Sequence, residues 1–190
     1  RLPDCYLIND RKRYLPTVTE PRSQHGLPED AFVFGCFNGE FKNTPALFEV
    51  LIRLLKKVDK SVLWIYAPLQ ETRTNLRNEA IAREVDPERI IFAQGVPNAA
   101  HLTRHRCIDL FLDTFPYAGH TTVSDALWVG IPVVTYAGEC FSSRVAKSLL
   151  HAVGLPEYAT DNLADYEALA LELANDMPRI QKLKTYLDEG

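Results

Sequence analysis

A loop in the middle of the chain carries residue types that bind phosphate. It contains Gly119, His120, Thr121 and Thr122, and a predicted helix begins at its end. Gly119 permits close backbone approach, the first amides of the helix form its positive end, and the side chains offer hydroxyl and imidazole groups to an anionic oxygen. The same spacing fits a simple capping box between Thr122 and Asp125, and spacing alone leaves both interpretations open.

A second loop follows a predicted strand at residues 89–93 and leads into a helix that Asn98 would cap. His101 and Arg104 are three residues apart, so they share one face of that helix. An imidazole beside a guanidinium can hold a planar base by stacking and hydrogen bonding. A polar, solvated helix face is the alternative interpretation of the same two residues.

Lys42 follows the first predicted strand, residues 31–37, where its ammonium group could meet a pyrophosphate. A simply solvated lysine is the alternative. No GxGxxG fingerprint follows this strand, which counts against a dinucleotide redox cofactor. The chain also lacks a P-loop lysine motif and a paired-carboxylate metal motif. We therefore expect neither a metal ion nor a bound cofactor.

The elements that must position these loops alternate from Ala31 onward. Predicted strands cover residues 31–37, 61–66, 89–93, 108–112 and 131–135. Helices are predicted over residues 75–84, 122–129 and 143–151. Two more are predicted to begin at Thr44–Pro45 and at Asn162, and a last one carries Ile180, Leu183 and Leu187. Strands that are apolar throughout indicate a parallel sheet covered on both faces, an α/β, Rossmann-like doubly wound fold. Ligands of such folds bind outside the carboxyl ends of the strands.

Two parts of the chain differ in composition. Residues 1–30 contain four prolines and clusters of polar side chains, which predict an extended approach segment instead of a packed unit. Residues 31–190 carry the alternating pattern and are predicted to form one Rossmann-like lobe.

The overall composition excludes several classes of protein. The net charge is −4, from 21 basic and 25 acidic side chains, which argues against a general nucleic-acid surface. The four cysteines lie far apart without a CxxC pair, so we expect a reducing, cytoplasmic compartment. No signal peptide or run of membrane-spanning length is present, and no membrane association is expected.

Taken together, these loops resemble the catalytic C-terminal lobe of O-GlcNAc transferases. The resemblance covers almost everything from about Gly26 onward, and the opening residues 1–6 resemble the segment between the lobes of bacterial members. The residues that carry it are Cys36, Phe37, Asn38 and Lys42, then 61–64, 89–92, His101, Arg104, 112–114, 119–122, Asp125, Leu127, Trp128, Gly130, Gly138, Glu139 and 143–146.

The resemblance implies a GT-B fold, in which the second of two Rossmann-like lobes holds the donor nucleotide. It implies an inverting, metal-independent transfer of N-acetylglucosamine from UDP-GlcNAc to serine or threonine of proteins. The N-terminal lobe, and helical repeats where the parent protein has them, would be partners missing from this chain, so the lobe alone should be inactive.

The resemblance also assigns roles at the diphosphate. Lys42 would hold the donor diphosphate, where a positive charge also helps UDP to depart. His120, Thr121 and Thr122 would bind the same diphosphate at the helix N-terminus.

Four further residues would hold the nucleoside. Arg104 and the backbone near Val96 would recognise uracil, His101 would lie against the base and ribose, and Asp125 would accept hydrogen bonds from the ribose hydroxyls. Gly39 and Asn98 depart from the family pattern, since many relatives carry an amide side chain at the first and animal relatives often a lysine at the second.

Two alternatives stay open. A Spindly-type protein O-fucosyltransferase would use GDP-fucose, and its phosphate loop tends to have threonine in place of His120 and glutamate in place of Asp125. The histidine and aspartate of this chain favour uridine. A scaffold module that kept the fold and lost the chemistry is the second alternative, and the joint presence of Lys42, His120 and Asp125 speaks against it.

Overall fold

A computed structural model describes residues 5–10 and 12–189 of the chain. Most of the segment at residues 1–6 that resembles an interlobe connection therefore lies outside the described residues. Within the described part, six strands form a parallel sheet in the order β3-β2-β1-β4-β5-β6. The strands are β1 (Phe32–Cys36), β2 (Ser61–Tyr66), β3 (Ile90–Ala93), β4 (Leu110–Leu112), β5 (Val133–Tyr136) and β6 (Ala159–Thr160).

The two central strands carry the most buried sequence of the sheet. Every residue of β1 and of β4 is buried, because helices cover both faces there. The strand order reverses its direction of growth between β1 and β4, and this reversal opens a crevice at their carboxyl ends. The α/β, Rossmann-like fold predicted from the sequence is confirmed.

Seven α-helices flank the sheet within the described residues. They are α1 (Pro45–Lys57), α2 (Gln70–Ala82), α3 (Asn98–His105), α4 (Thr121–Trp128), α5 (Phe141–Ala152), α6 (Leu163–Ala174) and α7 (Met177–Glu189). Local signals explain several boundaries. The Thr44 hydroxyl accepts a hydrogen bond from the Leu47 amide at 3.2 Å, and the Asn162 side chain accepts one from the Asp165 amide at 2.8 Å.

Besides small shifts at the ends of other elements, three features differ from the sequence prediction. Helix α2 begins at Gln70, five residues before the predicted start. The sequence indicates this start poorly, because Ala80 is the only buried residue of the helix and its apolar pattern is faint. Strand β6 has two residues and gave no strand signal. Helix α3 follows Pro97 and has no side-chain cap, so Asn98 is its first residue and does not cap it.

Before the sheet, the described N-terminal residues form a single short 3-10 turn at Arg22–His25 and otherwise lack helix or strand. Residues 5–10 and 12–15, which we call the strap, lie along α4 and contact it through hydrogen bonds. The division into residues 1–30 and 31–190 stays a prediction. No helix in the described residues is long and apolar enough to cross a membrane.

Candidate functional site

Asp113 is the buried centre of the loop that follows β4. Its Oδ1 accepts hydrogen bonds from the Thr114 amide at 2.8 Å, the Gly119 amide at 2.6 Å and the Asn38 side chain at 3.0 Å. Its Oδ2 accepts one from the Thr135 hydroxyl at 2.6 Å. Burial raises the pKa of Asp113 to about 6, although these hydrogen bonds oppose the rise. One carboxylate thus fixes the loop to β1 and β5.

Gly119 lies where the loop meets β1 and α4. A Cβ at this residue would come within 2.6 Å of Thr122 Oγ1 and 2.8 Å of Asn38 Oδ1, so a larger residue would push the loop out of place. The Thr122 hydroxyl donates a hydrogen bond to the Asn38 side chain. Asn38 therefore links the carboxyl ends of β1 and β4 by contacting both Asp113 and Thr122.

The start of α4 differs from the capping-box alternative. The helix begins at Thr121 with His120 as its N-cap, and no side chain caps it. Since the Thr122 hydroxyl is bonded to Asn38, the box between Thr122 and Asp125 is not formed. The first amides of a helix have no partners within the helix, so these carry a partial positive charge at the β1–β4 crevice.

Lys42, which follows β1, contacts the loop between β4 and α4 with its side chain. Its Nζ donates to the Ala118 carbonyl at 2.9 Å and lies 3.9 Å from the centroid of the Tyr117 ring. The Tyr117 ring is in turn 5.4 Å from the His120 ring. Burial lowers the pKa of Lys42, and the Asp113 carboxylate partly offsets this. Lys42 and His120 therefore flank one crevice.

A small cavity opens beside α3 and the loop after β3. Its volume is about 300 Å³. Its lining contains Phe37, Tyr66, Gly95, Val96, Asn98, His101 and Arg104. The structure thus brings together the three residues that the sequence assigned to the nucleobase, His101, Arg104 and Val96.

Arg104 acts inside this cavity wall. Its guanidinium donates to the Gln94 carbonyl at 2.6 Å and to His101 Nδ1 at 2.9 Å, and its carbon lies 4.7 Å from the centroid of the Phe37 ring. Only 4% of Arg104 is exposed. Burial lowers its pKa to about 10. The side chain braces the cavity wall with two of its donors, and its buried Nε has no hydrogen-bond partner among the described residues.

His101 is neutral at ordinary pH. Burial, with help from the charge of Arg104, lowers its pKa to about 4. Because Nδ1 accepts from Arg104, the ring proton resides on Nε2, which can donate to a ligand. His105 Nδ1 donates to the His101 carbonyl at 2.6 Å, and the two rings are 4.3 Å apart. His105 is thus a supporting residue that sequence spacing did not single out.

Asp125 lies on α4, one turn after the loop that follows β4. Its Oδ1 accepts a hydrogen bond from Arg13 at 2.7 Å, and 5% of its side chain is exposed. Burial raises the pKa of Asp125, and the Arg13 charge opposes this. The partner lies 112 residues earlier in the chain. No local sequence pattern indicates this pair, because Arg13 belongs to the predicted approach segment.

A larger cavity lies elsewhere. It measures about 860 Å³ and is bounded by the strap and the C-terminal ends of α4, α5 and α7, and none of the predicted site residues lines it. In the part of the chain that the structure describes, no cluster of three or more histidine, cysteine, aspartate or glutamate side chains is arranged to hold a metal ion.

Comparison with known proteins assigns this geometry to a family. The sequence profile of glycosyl transferase family 41 matches residues 11–189. The chain is 38% identical over 188 residues to the Arabidopsis thaliana probable UDP-N-acetylglucosamine–peptide N-acetylglucosaminyltransferase SEC, covering 96% of this chain and 19% of the plant protein. It is 33% identical over 196 residues to the SPINDLY protein of the same plant, whose name carries the same probable activity, covering 98% of this chain and 21% of that protein.

A solved structure agrees with these relatives. A lysine-to-methionine mutant of the Thermobaculum terrenum O-GlcNAc transferase superposes with a TM-score of 0.80 at 30% identity, over 85% of this chain and 34% of that one. The chain spans about a fifth of the length of the two plant relatives. It belongs to glycosyl transferase family 41 and has the Rossmann-like fold of a GT-B C-terminal lobe.

Proposed function

We propose that this chain is the donor-binding half of an inverting glycosyltransferase that moves N-acetylglucosamine from UDP-GlcNAc to serine or threonine of proteins. The observation that carries the proposal is the shared crevice, where Lys42 and the uncapped start of α4 approach the same loop from two sides. The names of the relatives support this choice of donor and acceptor.

The diphosphate belongs at the β1–β4 crevice. The amides of Thr121 and Thr122 provide partial positive charge, and Lys42 provides a full one. Lys42 Nζ can exchange the Ala118 carbonyl for a phosphate oxygen without leaving the loop. Negative charge grows on the diphosphate as the sugar bond breaks, so fixed cations here stabilise the transition state more than the ground state.

The nucleoside belongs in the cavity at α3. A volume of about 300 Å³ is at the small end for ligand pockets and is enough for a nucleobase. The choice of uridine over the guanosine of a GDP-fucose donor rests on His120 and Asp125, where the fucosyltransferases tend to have threonine and glutamate. The neutral His101 ring offers Nε2–H to the base or ribose, and Val96, which is exposed, lines the same cavity. Asp125 is the proposed acceptor for ribose hydroxyls, a role it would share with its Arg13 contact.

Lys42 and the helix amides supply the positive charge that a metal ion would otherwise bring to the leaving diphosphate. We therefore propose metal-independent transfer, which should persist in excess EDTA. The acceptor side, a protein serine or threonine, would be completed by a second lobe, so that the lobe alone is inactive. The cysteines in the described residues are free, consistent with the proposed reducing, cytoplasmic compartment.

A transfer assay with the full-length gene product tests this function. Radiolabelled UDP-GlcNAc should label serine- or threonine-containing protein acceptors, and GDP-fucose should not. Lys42→Met should lower turnover by about 100-fold while UDP affinity changes less, since the lost charge acts mainly in the transition state.

Lys60→Met is the matched control, because this lysine is largely exposed and its Nζ lies 3.7 Å from Asp30, away from the loop. It should keep normal turnover. Fucose transfer, or full activity in Lys42→Met, would contradict the assignment.

A further inference from the structure

The strap contacts residues of the candidate donor site. It runs parallel to α4, and hydrogen bonds connect it to four partners at the start of α4 and along it. These bonds join Tyr6 to His120, Asn9 to Ser124, Arg13 to Ser124 and Asp125, and Tyr14 to Trp128. Two of the four α4 partners, His120 and Asp125, belong to the proposed donor site, whereas Ser124 and Trp128 do not.

Tyr6 and His120 form the contact nearest the diphosphate loop. The Tyr6 hydroxyl lies 2.8 Å from His120 Nδ1, and the two rings meet edge to face at 5.9 Å. The Phe141 ring packs against both, at 5.0 Å from Tyr6 and 6.3 Å from His120. The His120 imidazole is therefore held on two sides by aromatic rings that come from distant parts of the chain.

The two nitrogens of His120 have different partners. Nε2 lies 3.3 Å from the Ser142 carbonyl, which can only accept, so this nitrogen carries a proton. In the neutral ring Nδ1 then accepts, and the Tyr6 hydroxyl donates to it. The contact with Ser142 is the longer of the two, so Nε2–H is the group that a phosphate oxygen can recruit while Tyr6 keeps its hold on Nδ1.

We infer that Tyr6 is a positioning residue for the donor diphosphate, acting through the orientation and tautomer of His120. The inference rests on the proposed function, because it needs a diphosphate at the start of α4. The Tyr6 hydroxyl keeps the proton of His120 on Nε2 and holds that edge of the ring at the Ser142 carbonyl, from which a phosphate oxygen can recruit the N–H group. A ring free to rotate would present Nδ1 or the wrong tautomer for part of the time, and diphosphate binding would weaken.

Tyr6→Phe tests this role in the full-length gene product by calorimetric titration with UDP and with uridine. The ring and its packing against Phe141 remain, so only the hydroxyl is lost. UDP affinity should fall about threefold to tenfold, the range for one hydrogen bond. Uridine has no phosphate, so its affinity should stay within twofold, which a general loosening of the fold would not allow.

Asn9→Ala is the matched control because it removes a strap contact, the 2.9 Å hydrogen bond from the Ser124 hydroxyl, without touching a site residue. It should leave UDP affinity unchanged. In a His120→Ala background, Tyr6→Phe should have no further effect.

Unchanged UDP affinity in Tyr6→Phe, an equal loss for uridine, or an equal loss in Asn9→Ala would each overturn the positioning role. These results differ from a failure of the proposed function, in which the unmodified protein would bind neither UDP nor uridine.

Discussion

At the scale of single residues, the hydrogen bonds of Asp113 hold the loop after β4 in its conformation. Its carboxylate is buried and joins the loop to β1 and β5 through backbone and side-chain donors. Burial disfavours the charged form of this carboxyl group and so raises its pKa to about 6. The folded protein therefore takes up a proton at Asp113 more readily than the unfolded chain, where the ordinary value is 3.8.

The sign of the resulting pH dependence follows from linkage. The contribution of Asp113 to the free energy of unfolding is most favourable below about pH 4, falls as pH rises to about 6, and is level above. Asp113→Asn removes this titration. We expect the stability of the unmodified protein relative to the variant to decrease between pH 4 and 6, measured by urea unfolding across that range.

His101 and His105 have lowered pKa values and give an opposite trend, with stability lost as pH falls below about 6.5. Because both proteins retain these histidines, their contribution cancels in the comparison. Asp30→Asn removes a largely exposed carboxylate and is the control for the loss of one acidic side chain. A stability difference that rises with pH over this range would show that Asp113 is not the titrating group.

At the scale of elements, the beginning of α4 is the feature on which the site depends. The loop before it packs closely at Gly119, where a side chain has no space between Asn38 and Thr122. The helix has eight residues and is fixed at its start by neighbouring strands and not by a cap of its own. A small change at Gly119 should therefore move the amides without unfolding the lobe.

Gly119→Ala tests this element. The added methyl group must displace Thr122 or Asn38 side-chain atoms, so we expect UDP affinity to fall at least tenfold, with a smaller loss for uridine, as measured by titration calorimetry. A circular dichroism melt of the variant checks that the fold persists. Normal UDP affinity in a folded variant would mean that the α4 amides are not the diphosphate site.

Most elements could be predicted because their signals are local. The apolar runs of β1 to β5, the Thr44 cap and the Asn162 cap all lie within a few residues of the elements they define. The start of helix α2 is predicted wrongly because the helix has a single buried residue. Strand β6 is not predicted because it is only two residues long. The first residue of α4 was misplaced because the Thr122 hydroxyl bonds to Asn38, 84 residues away.

At the scale of the whole molecule, the site is assembled from distant parts of the chain. The sequence predicted which loops meet, because the carboxyl ends of parallel strands share one edge of the sheet. It could not predict that Tyr6 contacts His120 over a separation of 114 residues, or that Arg13 covers Asp125. Such pairs depend on how the strap lies along α4, which no periodic pattern encodes. The predicted roles of the site residues themselves stay predictions.

The molecule as a whole is expected to recognise a uridine diphosphate through two linked subsites. We have proposed that the base lies in the cavity at α3 and the diphosphate at the β1–β4 crevice, and on this assignment a ligand with both parts should bind far better than either part alone. A ligand that binds only the folded state raises the free energy of unfolding by RT ln(1 + [L]/Kd), about 2.7 kcal/mol at roughly 100 times Kd.

Thermal unfolding of the purified protein with UDP, GDP and NAD at equal concentrations is the most direct test of uridine diphosphate binding. UDP should raise the unfolding midpoint clearly, while GDP and NAD should leave it near that of the free protein. An absent shift with all three nucleotides, or a larger shift with GDP than with UDP, would contradict the account.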